Sequence, residues 1–297
     1  MVANYLGAFV ALITPFINNE IDEDKFQKFV EWQISEGTSG LVPCGTTGES
    51  PTLSHEEHKR VIDLTLEVSN NRVPVMAGTG SNSTEEAISL TRYAKKVGAD
   101  SALLVMPYYN KPTQQGMYAH FKAINDSVDL PIFIYNIPGR SVVDMSVETM
   151  AELAKLPNII GTKDASNDLV RPTLLRNALE GKEFIQFSGE DPSLLPFMAA
   201  GGDGIISVTA NIVPNLMSKF CNLWKLKKID EARSIQESLM DLHSSLFIET
   251  SPAPVKYAAS LMGLCEENVR LPLVNVSDNT SNLIKSVMEN MQLISKS

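Results

Sequence analysis

Residues 131–136, PIFIYN, and residues 159–163, IIGTK, are two short runs rich in isoleucine and other β-forming side chains, apolar on both faces. Such runs are what strands look like when a parallel sheet is covered inside and out. Their starts lie roughly 25 to 30 residues apart, which leaves room for a returning helix and so marks a βα unit. Outward from this pair the same spacing recurs. Strand candidates are Gly7–Ile13, Gly40–Cys44, Val73–Gly78, Ser101–Pro107, Pro131–Asn136, Ile159–Lys163, Phe184–Gly189 and Gly204–Val208. A doubly wound open sheet shares this local pattern, and periodicity does not separate the two; eight units favour closure. The expected fold class is therefore α/β, a (β/α)8 TIM barrel.

Between the strands, Phe26, Phe29, Val30 and Ile34, and again Val61, Leu64 and Val68, repeat at helical spacing and belong on faces turned to the core. Helix starts are expected at two S-x-x-E boxes, Ser54/Glu57 and Ser83/Glu86, and at Asp191-Pro192, a cap followed by an N1 proline. The acidic run from Glu20 to Asp24 suits a helix N-terminus, and Gly201-Gly202-Asp203-Gly204 reads as a turn. From about Ile229 the pattern is helical only, punctuated by Pro252, Pro254 and Pro272. The expected division is a catalytic barrel over 1–228 and a C-terminal helical appendage over 229–297.

The chain has 297 residues, 43% of them hydrophobic and 20% charged, which suits a large buried core. A formal charge of −10, with no basic run interleaved with aromatics, excludes nucleic acid as a natural partner. Cys44, Cys221 and Cys265 are widely separated and fit neither a disulfide framework nor a CxxC site, so a reducing cytoplasm is expected. The apolar run Leu6 to Phe16 has no basic residue before it and reads as a buried first strand rather than a signal peptide, and no stretch is long enough for a membrane span.

Barrel active sites lie at the C-terminal ends of the strands, and four strand ends carry unusual polar residues. Lys163 follows Ile159-Ile160-Gly161-Thr162, so its amine should sit in an apolar wall where desolvation favours the neutral, nucleophilic form. Lowering a lysine pKa from about 10.4 to about 7 takes roughly 4 to 5 kcal/mol, within reach of burial. The alternative for Lys163 is a structural ion pair with Asp164 or another carboxylate. Tyr135 ends the neighbouring strand and can move a proton, or simply pack. Gly45-Thr46-Thr47-Gly48 offers backbone amides and hydroxyls to a carboxylate, or is an ordinary loop. Arg140, after Pro138-Gly139, can present a planar fork to a second carboxylate, or lie on the surface. His55-Glu56-Glu57-His58 has H-x-x-H spacing rather than that of a zinc motif and reads as a solvated first helical turn; neither a metal nor a cofactor is expected.

Taken together, GTTGE at 45–49, PYYN at 107–110, YNIPGR at 135–140, IIGTKDAS at 159–166 and SG at 188–189 resemble the dihydrodipicolinate synthase family over nearly the whole chain. This family sits within the pyruvate-dependent aldolases, beside N-acetylneuraminate lyase and the 2-keto-3-deoxy sugar-acid aldolases. The lysine and tyrosine are shared across that superfamily; GTTGE, PYYN and the arginine point to the synthases. The resemblance implies condensation of pyruvate with aspartate 4-semialdehyde in the diaminopimelate route to lysine. Lys163 would form the pyruvate Schiff base, an electron sink for the developing carbanion. Tyr135, Thr46 and Tyr109 match the family's proton relay, with Tyr109 supplied by a neighbouring subunit. Thr46 and Thr47 would hold the pyruvate carboxylate, Arg140 that of the semialdehyde, and Gly189 and Ile206 would line the pocket. The resemblance also implies a homotetramer, a dimer of dimers, inhibited by lysine at Ser50, His55, His58, Asn82, Glu86 and Tyr108. The chain departs from the common pattern at Pro51, where alanine is frequent and where proline removes an amide donor.

Two other readings have definite signatures. A sugar or sugar-acid acceptor would keep Lys163, whereas Arg140 argues for a small acceptor bearing a carboxylate. A non-catalytic sensor of a 2-oxo acid or of lysine would not need a strand-end lysine beside a proton relay.

Overall fold

A computed structural model describes residues 5–296. Every β-rich run forms a strand: β1 Gly7–Ala11, β2 Gly40–Val42, β3 Met76–Gly78, β4 Ser101–Val105, β5 Ile132–Asn136, β6 Ile159–Asp164, β7 Ile185–Ser188 and β8 Gly204–Ser207. All are buried along nearly their whole length, as two-sided apolar sequences require. The chain divides into two compact units, each made of two stretches. One joins the residues up to Gly7 to Pro74–Ile206, and the other joins Ala8–Val73 to Ser207–Ser297.

In the first unit the strands run parallel in the order β3, β4, β5, β6, β7, β8. Phe133 on β5 lies between Tyr5, 5.1 Å away between ring centroids, and Phe187 on β7, at 5.7 Å. Gly161 makes room for this stack. A Cβ there would stand 2.4 Å from the Phe133 ring, so only glycine lets β6 pass beneath it. Burying such a ring contributes roughly 1.5 to 3 kcal/mol, and the gap left by any other arrangement would lose part of it.

In the second unit β1 pairs with β2 in parallel, and Phe16–Ile17 pairs with Glu20–Ile21 in a short antiparallel hairpin. Asp22 caps the helix Glu23–Ser35, its carboxylate accepting from the Lys25 amide at 3.0 Å. Glu20 lies in the hairpin rather than in the first helical turn. The Ser54/Glu57 capping box of the helix His55–Ser69 is complete. Four more helices, Pro214–Lys225, Ile229–Ser245, Ala253–Leu261 and Asp278–Asn290, complete this unit.

Several local expectations are corrected. The helix Thr84–Val97 does start after Ser83, but the Ser83 side chain makes no capping bond, because Ser81 intervenes: the Ser81 hydroxyl donates to Glu86 and accepts from the Ser83 amide at 3.0 Å. Asp191 does not cap a helix either, since the next one starts only at Leu194, and Asp191 is wholly buried. Ile34 and Val68 are partly exposed, and the fully buried neighbour of Ile34 is Gln33, whose amide donates to the Ala210 carbonyl at 2.9 Å. No helix among the described residues is long and apolar enough to cross a membrane.

Candidate active site

Lys163 stands opposite Tyr135 on one side and Phe187 on the other in the parallel register of β5, β6 and β7. It is 5% exposed, and its ammonium nitrogen lies 4.3 Å from the centre of the Tyr135 ring. Burial pushes its pKa down to about 8, with Glu190 and Asp191 pulling back up and Arg140 adding to the depression. Among the described residues Lys163 has no ion pair. Asp164 pairs instead with Arg171, Oδ2 to Nε, at 3.0 Å. The reason is the strand period: successive side chains leave β6 on opposite faces, so Asp164 cannot share the side on which Lys163 lies.

Around this amine, Tyr135 is also buried, and Glu190 is half-buried just past the end of β7. Burial raises the Glu190 pKa, while Lys163 opposes that rise. Sequence reading passes over Glu190, although it directly follows the Ser188-Gly189 strand end. Gly189 is set by close approach. Its amide donates to the Asp164 carbonyl at 2.6 Å, and a Cβ on it would lie 3.1 Å from Lys163 Cε and 2.8 Å from the Ala165 Cβ. Gly189→Ala should therefore push against the Lys163 and Ala165 side chains and lower stability by about 1 to 3 kcal/mol, the usual cost of overpacking, as thermal unfolding would measure. An unchanged unfolding temperature would show that these neighbours give way to the methyl group.

Arg140 is exposed on the one-turn helix Pro138–Ser141, and its charge still bears on both Lys163 and Glu190. Ile206 is wholly buried on β8. Tyr109 is 88% exposed with φ at +72°. Its neighbours are pinned: Asn82 donates to the Tyr108 carbonyl at 3.2 Å, and Asn110 donates to the Asn82 carbonyl at 2.9 Å. The half-buried Tyr108 has its pKa raised by burial and then by the charge of Glu86.

In the second unit the GTTGE segment is a compact turn. The amides of Gly48 and Ser50 donate to the Gly45 carbonyl and that of Glu49 to the Thr46 carbonyl, at 3.1 to 3.3 Å. Within this turn the amides of Gly45, Thr46 and Thr47 have no backbone partner among the described residues. Thr47 is buried and Thr46 half-buried. Sequence reading missed what holds this turn. Glu49, at φ +56°, forms an ion pair with Lys256 at 2.8 Å, with both side chains 1% exposed or less. Lys256 also donates to the Thr14 carbonyl at 2.9 Å, the Arg270 amide donates to the other Glu49 oxygen at 2.9 Å, and the Thr14 hydroxyl donates to the Gly48 carbonyl at 2.8 Å. The Phe16 ring faces both cations, each at 4.2 Å. Ser50 is half-buried and His55 exposed, but His58 is buried, against the expectation of a solvated turn, and its carbonyl accepts from the Cys44 thiol at 3.4 Å.

Comparison with known proteins gives a consistent result. The model of the "Dihydrodipicolinate synthetase family" matches residues 4–291. A 4-hydroxy-tetrahydrodipicolinate synthase of Rhodospirillum centenum is 63% identical over 285 residues, 96% of this chain and 97% of its own. A crystal structure of the chloride-inhibited dihydrodipicolinate synthase from Acinetobacter baumannii complexed with pyruvate is 46% identical, with a TM-score of 0.95 over 97% of this chain and 99% of that one. A synthase from Cyanidioschyzon merolae with lysine bound is 35% identical, with a TM-score of 0.95 over 98% and 99%. The fold class is thus the α/β (β/α)8 barrel that the strand count predicts. With a family model and full-length relatives in agreement, the chain belongs to the dihydrodipicolinate synthetase family.

Proposed function

We propose that Lys163 forms a Schiff base with pyruvate and that the chain joins the resulting enamine to L-aspartate 4-semialdehyde, the lyase reaction of its relatives. The observation that carries this reading is a buried amine without an ion pair among the described residues, its pKa pushed down to about 8. At pH 7 about a tenth of such an amine is neutral, far more than for an exposed lysine. The neutral nitrogen attacks the keto carbon, water leaves, and the iminium draws electrons from the adjacent methyl group as its proton departs. The enamine carbon then bonds to the aldehyde carbon, whose oxygen takes up a proton.

Tyr135, beside Lys163, fits proton transfer at these steps, with Thr46 and Tyr109 as the rest of the relay. Thr46 and Thr47, with amides not used in the turn, fit the pyruvate carboxylate, and Arg140 fits that of the semialdehyde. Gly189 and Ile206 line the pocket. Tyr109, projecting at 88% exposure, fits a residue donated to a second copy in a dimer of dimers. Lysine is the regulator in this reading, at Ser50, His55, His58, Asn82, Glu86 and Tyr108. The division at 228/229 into catalytic barrel and helical appendage belongs to the same reading, as does a cytoplasmic location, which suits three free buried cysteines.

Turnover of pyruvate with a panel of aldehydes tests the acceptor: aspartate semialdehyde should be consumed fastest, and faster turnover of an aldose would replace it with a sugar. The pH dependence tests the amine. Because only neutral Lys163 attacks, log kcat/KM for pyruvate should rise with unit slope up to pH about 8 and then level off. A profile already flat between pH 6 and 8 would contradict the role of this titration.

A further inference from the structure

Arg140 sits in the turn that leaves β5, and this turn is bent against its own preference. Val142 holds φ at +67°, a left-handed conformation that a β-branched residue adopts only when its surroundings impose it. Ser141 and Gln114 hold it near the bend, their side chains donating to the Val143 and Asp144 carbonyls at 2.9 and 2.7 Å, and two buried groups fix its far end. At the end of β5 the wholly buried Asn136 accepts from the Met145 amide at 3.2 Å and donates to Asp144 at 2.7 Å. From the start of the helix Arg171–Ala178, the buried guanidinium of Arg171 donates to the Met145 carbonyl and lies 3.3 Å from Asp144. Its remaining nitrogen, Nε, pairs with Asp164 at 3.0 Å, and Asp164 is itself fixed by the Ser166 amide at 3.0 Å and hydroxyl at 2.6 Å. Arg171 thus ties the far end of the Arg140 turn to the residue that follows Lys163.

We propose that Arg171 is a positioning residue for acceptor recognition: by fixing Asp144 and Met145 against Asp164, it holds the strained turn that presents Arg140 to the acceptor's carboxylate. This rests on the reading of Arg140 given under the proposed function. Arg171 itself touches no substrate. Its planar fork spans three acceptors at once, which a lysine ammonium cannot reproduce.

The test compares Arg171→Met, Arg171→Lys and Arg140→Ala in the full-length enzyme, each assayed for the two Michaelis constants and for borohydride trapping of pyruvate on Lys163. Arg171→Met should raise KM for aspartate semialdehyde roughly 10- to 100-fold, as expected for a displaced binding group, with KM for pyruvate and the trapped adduct close to wild type. Arg171→Lys should recover only part of the loss. In an Arg140→Ala background, Arg171→Met should add little, because residues acting through one contact are not additive. Should Arg171→Met fail to fold by circular dichroism, Asp164→Asn/Arg171→Met, which leaves no buried charge unpaired, is judged by the same criteria. A folded variant with unchanged acceptor KM overturns the proposal, as does an equal rise in both Michaelis constants or full additivity with Arg140→Ala. If Arg140→Ala itself leaves acceptor KM unchanged, it is the reading of Arg140 that fails.

Discussion

Replacing Lys163 by methionine should abolish turnover while making the protein more stable. Removing the proposed nucleophile takes away the covalent route, so kcat should fall by about 10³ or more, leaving only the contribution of substrate binding. The stability change follows from the same burial. The folded state holds this lysine at a pKa of about 8 against an ordinary 10.5, and so disfavours its proton. Below pH 8 that penalty is fully present, on the order of 3 kcal/mol, and it fades as pH rises from 8 towards 10.5. Methionine of similar shape avoids it. At pH 7 thermal unfolding of the variant should therefore shift upward by several degrees, with the gap to wild type closing in alkali. A variant that loses activity and stability together would mean that the amine is satisfied in the folded state rather than held there at a cost.

The second large effect is expected far along the chain from this amine. Lys256→Met should destabilise the protein by about 3 to 5 kcal/mol, because Glu49 would be left buried with its charge uncompensated. Exchanging both residues, as Glu49→Gln/Lys256→Met, should restore much of that loss, since a neutral pair of similar volume carries no such charge penalty. Thermal unfolding of the single and double variants checks this directly. A single variant as stable as wild type would show that the carboxylate is not enclosed as described. The same pair bears on the proposed pyruvate contacts, since Glu49 ends the turn that carries Thr46 and Thr47.

These two lysines show what is legible in the sequence and what is not. The burial of Lys163 at a strand end is legible because its neighbours Ile159 and Ile160 announce a covered strand. Lys256 carries no such mark. Nothing near it signals that its partner is Glu49, more than two hundred positions earlier, because long-range ion pairs leave no periodicity. Local competition is equally invisible. The Ser83/Glu86 box satisfies every spacing rule, yet Ser81, two residues before the cap, takes both partners. The ion pair of Asp164 with Arg171 rather than Lys163 follows from strand alternation, but the arrival of Arg171 at that face depends on the fold. The eight strands are readable because each needs only an apolar run of the right length. The division into two units of interleaved segments is not, since it depends on contacts between distant stretches.

On the proposed mechanism, one buried amine becomes bonded to a keto acid. Incubating the enzyme with pyruvate, reducing with borohydride and mapping the modified peptide measures this directly. A stable adduct confined to the peptide containing Lys163, and absent from Lys163→Met, is the predicted result. An adduct on another lysine, or none while turnover continues, would contradict it.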